Sequence, residues 1–488
     1  MANAESDALG QRSATELSDL LVRREVSAVE LVDDFLGSHE RLNPQINAIV
    51  AIDPEIAYSQ ARDSDARTAR SHRLGPLDGI PVTVKDNIFV AGFRATWGSK
   101  LYADFRPSSD DVGIARLRAT GTNLFAKTNT PEFALAAYTD NLLFGATRNP
   151  WDLQLTPGGS SGGAVSALAA GLGPLAVGTD AGGSIRRPSS YAGVVGFRPS
   201  TGRIPKVFGF PAIAHDFQVI APAARTVDDA YLLFRAMTGS DRRDQASLCF
   251  SDAPLPEHLP YTALPPSRIH CLFGIGEAPV DRDIRESVQA AAQIFAPLGH
   301  FVEEVQAPYD LSEVERIWST LSTAGLARIV APHSNWRSLV HPGTKTLAER
   351  GMAVSIEDYI NALDSVQQLR SRLAMYFETA DFLLMPTSAS LPWALGEPYP
   401  SQINGRDVGP RAAAIFATFV NAAALPAISL PIALSSNGLP IGMQIVGPFG
   451  ADLAVFRLAK LFEESAPWID RFRDTVTSTE ITNTSLRR

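Results

Sequence analysis

Two glycine loops, Thr156-Pro157-Gly158-Gly159-Ser160-Ser161-Gly162-Gly163 and Gly178-Thr179-Asp180-Ala181-Gly182-Gly183-Ser184-Ile185-Arg186, decide how this chain is read. Of its 36 glycines, 12 lie between Gly158 and Gly202. Glycine allows backbone with φ > 0 and close approach of N–H groups to a ligand. Successive N–H groups in such a loop form a concavity for an anion or oxyanion. A serine at its end can act as a nucleophile whose tetrahedral intermediate is held there. Three other readings fail on context. Gly158-Gly159-Ser160-Ser161-Gly162 fits G-x-S-x-G, but residues 152–157 before it read as loop rather than strand. A phosphate loop needs a Gly-Lys pair, which the sequence lacks. Neither loop has the spacing of a dinucleotide fingerprint.

Working outward, residues 164–171 read as a small-residue helix and 175–179 as a strand. Residues 80–85 and 123–127 are short β-branched or apolar runs with a helical pattern, 112–120, between them. Strands are also read at 46–52, 382–385, 428–432 and 442–446, and helices at 57–70 and 227–237. Ser13 with Glu16 and Ser27 with Glu30 fit capping boxes, so two helices open the chain, the second ending at Pro44. Alternating strands and helices predict an α/β fold: a single large α/β/α layered domain, a mixed central sheet flanked by helices. Its parts are a helical segment (1–75), a core holding the loops (76–240), a variable and mostly helical region (245–370) and a C-terminal part of the core (376–465). The Pro-rich stretch 252–266 reads as a surface loop.

Composition narrows the class. The 488 residues are 45% hydrophobic and 19% charged, with a net charge of -9. That permits a packed core and offers no basic stripe, so nucleic acid is not expected as a partner. Two cysteines, Cys249 and Cys271, argue for a reducing, cytoplasmic setting. The polar stretch 1–12 has no signal-like apolar region, and the apolar runs 164–181 and 416–434 are broken by glycine, proline and polar residues, so no membrane segment is expected. The eight histidines are scattered without a ligand spacing, so no metal is expected.

Pro157 to Phe197 resembles the signature of the amidase signature family, whose members share a Gly-Gly-Ser-Ser-Gly-Gly loop followed by Gly-Thr-Asp-x-Gly-Gly-Ser-Ile-Arg. Leu77-Asp78-Gly79-Ile80-Pro81-Val82-Thr83-Val84-Lys85-Asp86 is similar to the family's lysine strand. Further landmarks are Lys127-Thr128-Asn129, Asn149-Pro150-Trp151 and Arg225-Thr226-Val227-Asp228. The likeness is close over 60–240 and looser over 376–465. It implies a Ser–cisSer–Lys triad: Ser184 as nucleophile, Ser160 as the bridging serine after a cis peptide, Lys85 as base. A serine hydroxyl needs such a base, and burial keeps a lysine neutral. The resemblance further implies N–H groups of Ala181, Gly182, Gly183 and Ser184 as oxyanion donors, with Ser161, Thr179, Asp180 and Arg186 around them. No cofactor is implied.

The expected reaction is hydrolysis of a carbon–nitrogen amide bond through a Ser184 acyl-enzyme. In the family's tRNA-directed amidotransferase component, an acidic residue seven positions before the Asn421 equivalent reads a polar substrate; here that position is Ala414. Its neighbourhood is apolar, so Phe416, Phe419, Trp393 and Tyr138 are expected to line a pocket for an aryl or hydrophobic amide. The expected partner is therefore a small-molecule amide, with neither nucleic acid nor membrane, and a homodimer through the N-terminal helices is left open. The alternatives are a carbamate or ester hydrolase with the same triad, or the amidotransferase component.

Overall fold

The computed structural model describes residues 9–251, 253–260 and 264–468. Parts of two expectations, the polar N-terminus (1–8) and the Pro-rich loop (252 and 261–263), lie outside the described residues. Thirteen strands form in chain order: β1 Ile49–Ile52, β2 Pro81–Lys85, β3 Asn123–Thr128, β4 Leu175–Asp180, β5 Val195–Arg198, β6 Val219–Ala224, β7 Arg268–Cys271, β8 Phe301–Glu304, β9 Phe382–Pro386, β10 Gln402–Ile403, β11 Arg406–Asp407, β12 Ala427–Leu434 and β13 Pro440–Val446. All but β10 and β11, which make a separate hairpin, join one eleven-stranded sheet in the order β1-β3-β2-β4-β6-β5-β12-β13-β9-β7-β8. The sheet is mixed, as expected of the fold: β3-β2-β4 and β9-β7-β8 run parallel, and the other pairings are antiparallel. Central strands β2, β3, β4, β6 and β13 are buried at every residue. Burial on both faces is why they read as continuous apolar runs rather than alternating ones.

Parallel pairing needs a crossover, and Val112–Ala119 supplies the helix between β2 and β3. β2 and β4 pair in register, Val84 opposite Val177, so their carboxyl ends finish side by side. That edge of an α/β sheet is where ligands usually bind. The helix Gly162–Ala169 is buried on all sides. Its small residues allow that approach: a Cβ on Gly163 would come within 2.4 Å of the Asn129 backbone N.

The predicted capping boxes at Ser13/Glu16 and Ser27/Glu30 are both formed. The second helix runs Ala28–Ile46, through Pro44, and ends in a left-handed Asn47. Pro44 sits in the last turn, where Asn43 Oδ1 accepts from the Ala48 and Ile49 N–H groups and secures the exit. The region 245–370 holds the long helices Leu311–Val330 and Ile356–Tyr376, but also β7 and β8, which the helical reading did not include. Both are four residues long, and β8 is an exposed edge strand, so neither carries a strong apolar signal. Both cysteines are free, Cys249 exposed and Cys271 buried. No helix among the described residues is long and apolar enough to cross a membrane.

Candidate active site

The two glycine loops meet at the carboxyl ends of β2 and β4. Lys85 is the last residue of β2 and has no exposed surface. Its Nζ lies 2.8 Å from Ser160 Oγ, 3.0 Å from Ser161 Oγ and 2.9 Å from Thr179 Oγ1. The Gly159–Ser160 peptide is cis. The Ser161 N–H donates to the Ser184 carbonyl at 3.0 Å, which ties the first loop to the second. Ser184 is 8% exposed, against 1% for Ser160, so it is the member of the set that meets the surface. The structure thus brings Lys85, Ser160, Ser161, Thr179 and the Ser184 loop together from segments about 100 residues apart in sequence.

Burial holds the Lys85 ammonium well below its ordinary range, and Asp180 opposes this only through space. Asp180 is itself spent elsewhere. Burial pushes its carboxyl upward, but Arg186, Arg198 and Asn421 win, and it lies well below the usual carboxylate range. Arg186 reaches it through Nε and Nη2, both at 3.1 Å, and Asn421 Nδ2 at 2.8 Å. The backbone N–H groups of Gly183, Ile185 and Arg186 also donate to it. Arg186 goes on to Gln444 Oε1 at 2.9 Å and Asn421 Oδ1 at 2.6 Å. This buried network clamps the turn after Ser184 to β13 and the 418–422 helix. Sequence reading named Asp180 and Arg186 but gave no role to Asn421, Gln444 or Arg198. Only Asn421 and Gln444 had a signal, since both fall in the stretch 376–465 where the likeness is looser. Asn87 was missed as well; its Nδ2 donates to Thr179 Oγ1 at 3.1 Å and orients that hydroxyl.

The oxyanion loop is narrower than expected. Gly183 has φ +97°, which only glycine adopts freely, and its N–H points back to Asp180 Oδ1 at 2.8 Å. That donor is committed, which leaves the N–H groups of Ala181, Gly182 and Ser184. The pocket expectation also changes. Phe416 and Phe419 have no exposed surface, and Phe419 stacks on Tyr309 with centroids 4.0 Å apart. They are core: neither ring has surface to offer a ligand, and Phe419 is covered by Tyr309. Trp393 is nearly buried, packs edge-on to Tyr191 and donates its Nε1–H to the Glu397 carbonyl. Tyr138 stays half-buried, with its backbone carbonyl against Gly159. A residue that sequence reading missed lies closer: the Trp318 ring is 3.1 Å from where a Cβ on Gly182 would sit.

Serine hydroxyls around a buried lysine, with N–H groups at the edge of an α/β sheet, are groups with which acyl transfer through a serine can be done. Residues 30–456 match the family model for amidases. The chain belongs to the amidase signature family and is an amide-acting enzyme. It is similar to one component of the glutamyl-tRNA(Gln) amidotransferase of Cyanothece sp., 34% identical over 94% of this chain and 99% of the relative. Among solved structures it resembles a bacterial aryl acylamidase of the family, with a TM-score of 0.87, 28% identity and coverage of 96% and 98%. It also resembles the corresponding component of the glutamyl-tRNA(Gln) amidotransferase of Thermotoga maritima, with a TM-score of 0.75, 28% identity and coverage of 95% and 96%.

These relatives correct two expectations. A hydrolase of aryl or hydrophobic amides working by itself gives way, because the curated relatives matched end to end are components of an amidotransferase. The partner expectation, a small molecule alone, without nucleic acid and with at most a second copy of the chain, gives way for the same reason: that enzyme is named for a tRNA. Both expectations leaned on Ala414 and on the absence of a basic stripe. Net charge describes the surface of one chain and does not report which member of an assembly touches a nucleic acid. The hydrophobic pocket lost its support independently when Phe416 and Phe419 proved to be core.

Proposed function

We propose that this chain is the amidase component of an amidotransferase, releasing ammonia from a donor carboxamide for transfer to a glutamyl-tRNA(Gln) acceptor. The observation that carries this reading is the end-to-end match, 34% identity over 99% of a curated amidotransferase component. The site supports it chemically. Neutral Lys85 takes the Ser160 proton while Ser160 takes that of Ser184. Ser184 Oγ bonds to the carboxamide carbon, and the negative charge forming on the carbonyl oxygen faces the N–H groups of Ala181, Gly182 and Ser184. When the tetrahedral intermediate collapses, the proton returns along the relay to nitrogen. The C–N bond breaks, ammonia leaves, and an acyl ester remains on Ser184. Water, deprotonated by the same relay, hydrolyses that ester to a carboxylic acid.

The test uses the chain together with the other members of its assembly. Glutamine should yield ammonia and amidated tRNA. Ser184→Ala should lose both, while amidation driven by added ammonium salt persists. A complete complex that releases no ammonia from glutamine, or that amidates no tRNA, overturns the reading.

A further inference from the structure

Beside the Ser184 loop lie two arginines that the relay does not use. Arg187 is only 5% exposed, and its guanidinium donates to nothing among the described residues; Nε and Nη1 are both sealed from solvent without an acceptor. Its position is set by the chain. It follows Ser184 by three residues, its backbone N–H donates to the Gly183 carbonyl at 3.0 Å, and its Nε lies 3.0 Å from where a Cβ on Gly183 would sit. Arg411 comes from a distant stretch of the chain. Its Cζ stands 5.0 Å from the centroid of Trp318, the ring that covers Gly182. One of its nitrogens donates to Thr418 Oγ1, and its Nε is buried without an acceptor.

A buried cation without an acceptor is costly, and two near each other more so. Burial, and next the charge of Arg187, lower the Arg411 guanidinium to about 10, while Glu315 acts on it in the other direction without forming an ion pair. The carboxylate whose charge reaches Arg187, Asp180, is engaged with Arg186, Asn421 and the backbone. Nothing in the described protein supplies what these donors lack. A ligand can.

We infer that Arg187 and Arg411 bind an anionic group of the donor amide, a carboxylate a few bonds from the carbonyl that Ser184 attacks. This names the donor class and rests on the amidase reading above. The planar guanidinium fork matches a carboxylate, and charge-assisted pairs in a buried site are strong. The same geometry makes sense of Ala414. That position offers no counter-charge to a substrate ammonium, so the donor is read through its carboxylate.

The experiment measures ammonia release by the assembled enzyme from glutaramate, glutamine and neutral pentanamide. Glutaramate and glutamine should exceed pentanamide in kcat/KM. R187Q should raise the KM for glutaramate about 10–100-fold, the worth of one charge-assisted pair, with kcat and pentanamide turnover little changed. Should R187Q not fold, R411Q and inhibition by glutarate replace it: glutarate should compete with glutaramate, and its neutral dimethyl ester should not. Equal use of glutaramate and pentanamide by the wild type, or an equal loss on both in R187Q, overturns the inference and leaves the amidase reading standing. Absence of ammonia from every carboxamide defeats the amidase reading instead. The anion site is then decided by glutarate binding in a calorimeter, which R187Q should abolish and which is absent if the inference is wrong.

Discussion

Two lysines on neighbouring strands show how surroundings divide one side chain between two jobs. Lys85 ends β2 and Lys127 lies one residue from the end of β3; both are buried. Lys127 registers with Val84 and Lys85 with Thr128, so alternation sends the two ammonium groups to opposite faces of the sheet. Lys85 is met by three hydroxyls, Lys127 by the Ile88 carbonyl and, at longer range, by carboxylates. Burial depresses both. For Lys127 the pull of Asp86, Asp111 and Asp110 limits the fall to about 8, and burial raises Asp86 to about 6 against the attraction of Lys127. Hydroxyls can pass a proton on; carboxylates hold the charge in place. The first environment suits a base and the second a fixed structural charge.

The sharpest way to break this contrast is to remove the relay. Lys85→Met or Ser184→Ala should each cut kcat for ammonia release by several orders of magnitude, read against unchanged far-UV circular dichroism. A Lys85→Met enzyme with a rate within tenfold of wild type would sink the base assignment. With wild type, kcat should rise with pH as Lys85 loses its proton, at a midpoint far below 10.5.

Next in size is the buried carboxylate that anchors the Ser184 loop. Asp180→Asn leaves the Arg186 and Arg198 guanidiniums buried beside a neutral amide. It should cost about 3–5 kcal/mol in urea unfolding, with a turnover loss from the misplaced Ser184 loop. Lys127→Met should cost less, about 2 kcal/mol, because Asp86 can take a proton in compensation, and turnover should stay within about threefold. Its pH signature separates it from Lys85. The folded value of about 8 lies below the ordinary 10.5, so between them the unfolded chain holds more protons. Stability from Lys127 therefore rises with pH across that window, by about 1 kcal/mol per unit, and is lost as pH falls through 8. The difference between wild type and Lys127→Met should widen accordingly. The smallest effect belongs to Phe419→Leu, which should cost about 1 kcal/mol by loosening the Tyr309 stack and leave donor preference unchanged.

How far the sequence could be read depended on whether a feature was local. The capping boxes at Ser13 and Ser27 were legible because their partners sit three residues away. The strands β2, β3 and β4 were legible because burial on both faces writes a continuous apolar run. Strands β7 and β8 were not, since four residues with exposed members look like any loop between helices. Phe416 and Phe419 read equally well as pocket or core, and only their complete burial in the folded chain, with Tyr309 stacked on Phe419, assigned them to the core.

By itself, then, the sequence determined the kind of fold and the two glycine loops with their serines, because spacing and periodicity are properties of a stretch of chain. The tertiary structure decided everything that depends on contact between distant segments. It brings Lys85 to Ser160 and Thr179, and it spends the Gly183 N–H on Asp180. It also leaves Arg187, beside Ser184, without an acceptor among the described residues. Burial and the identity of neighbours set a side chain's charge and its free donors, and both are fixed only when the chain closes on itself.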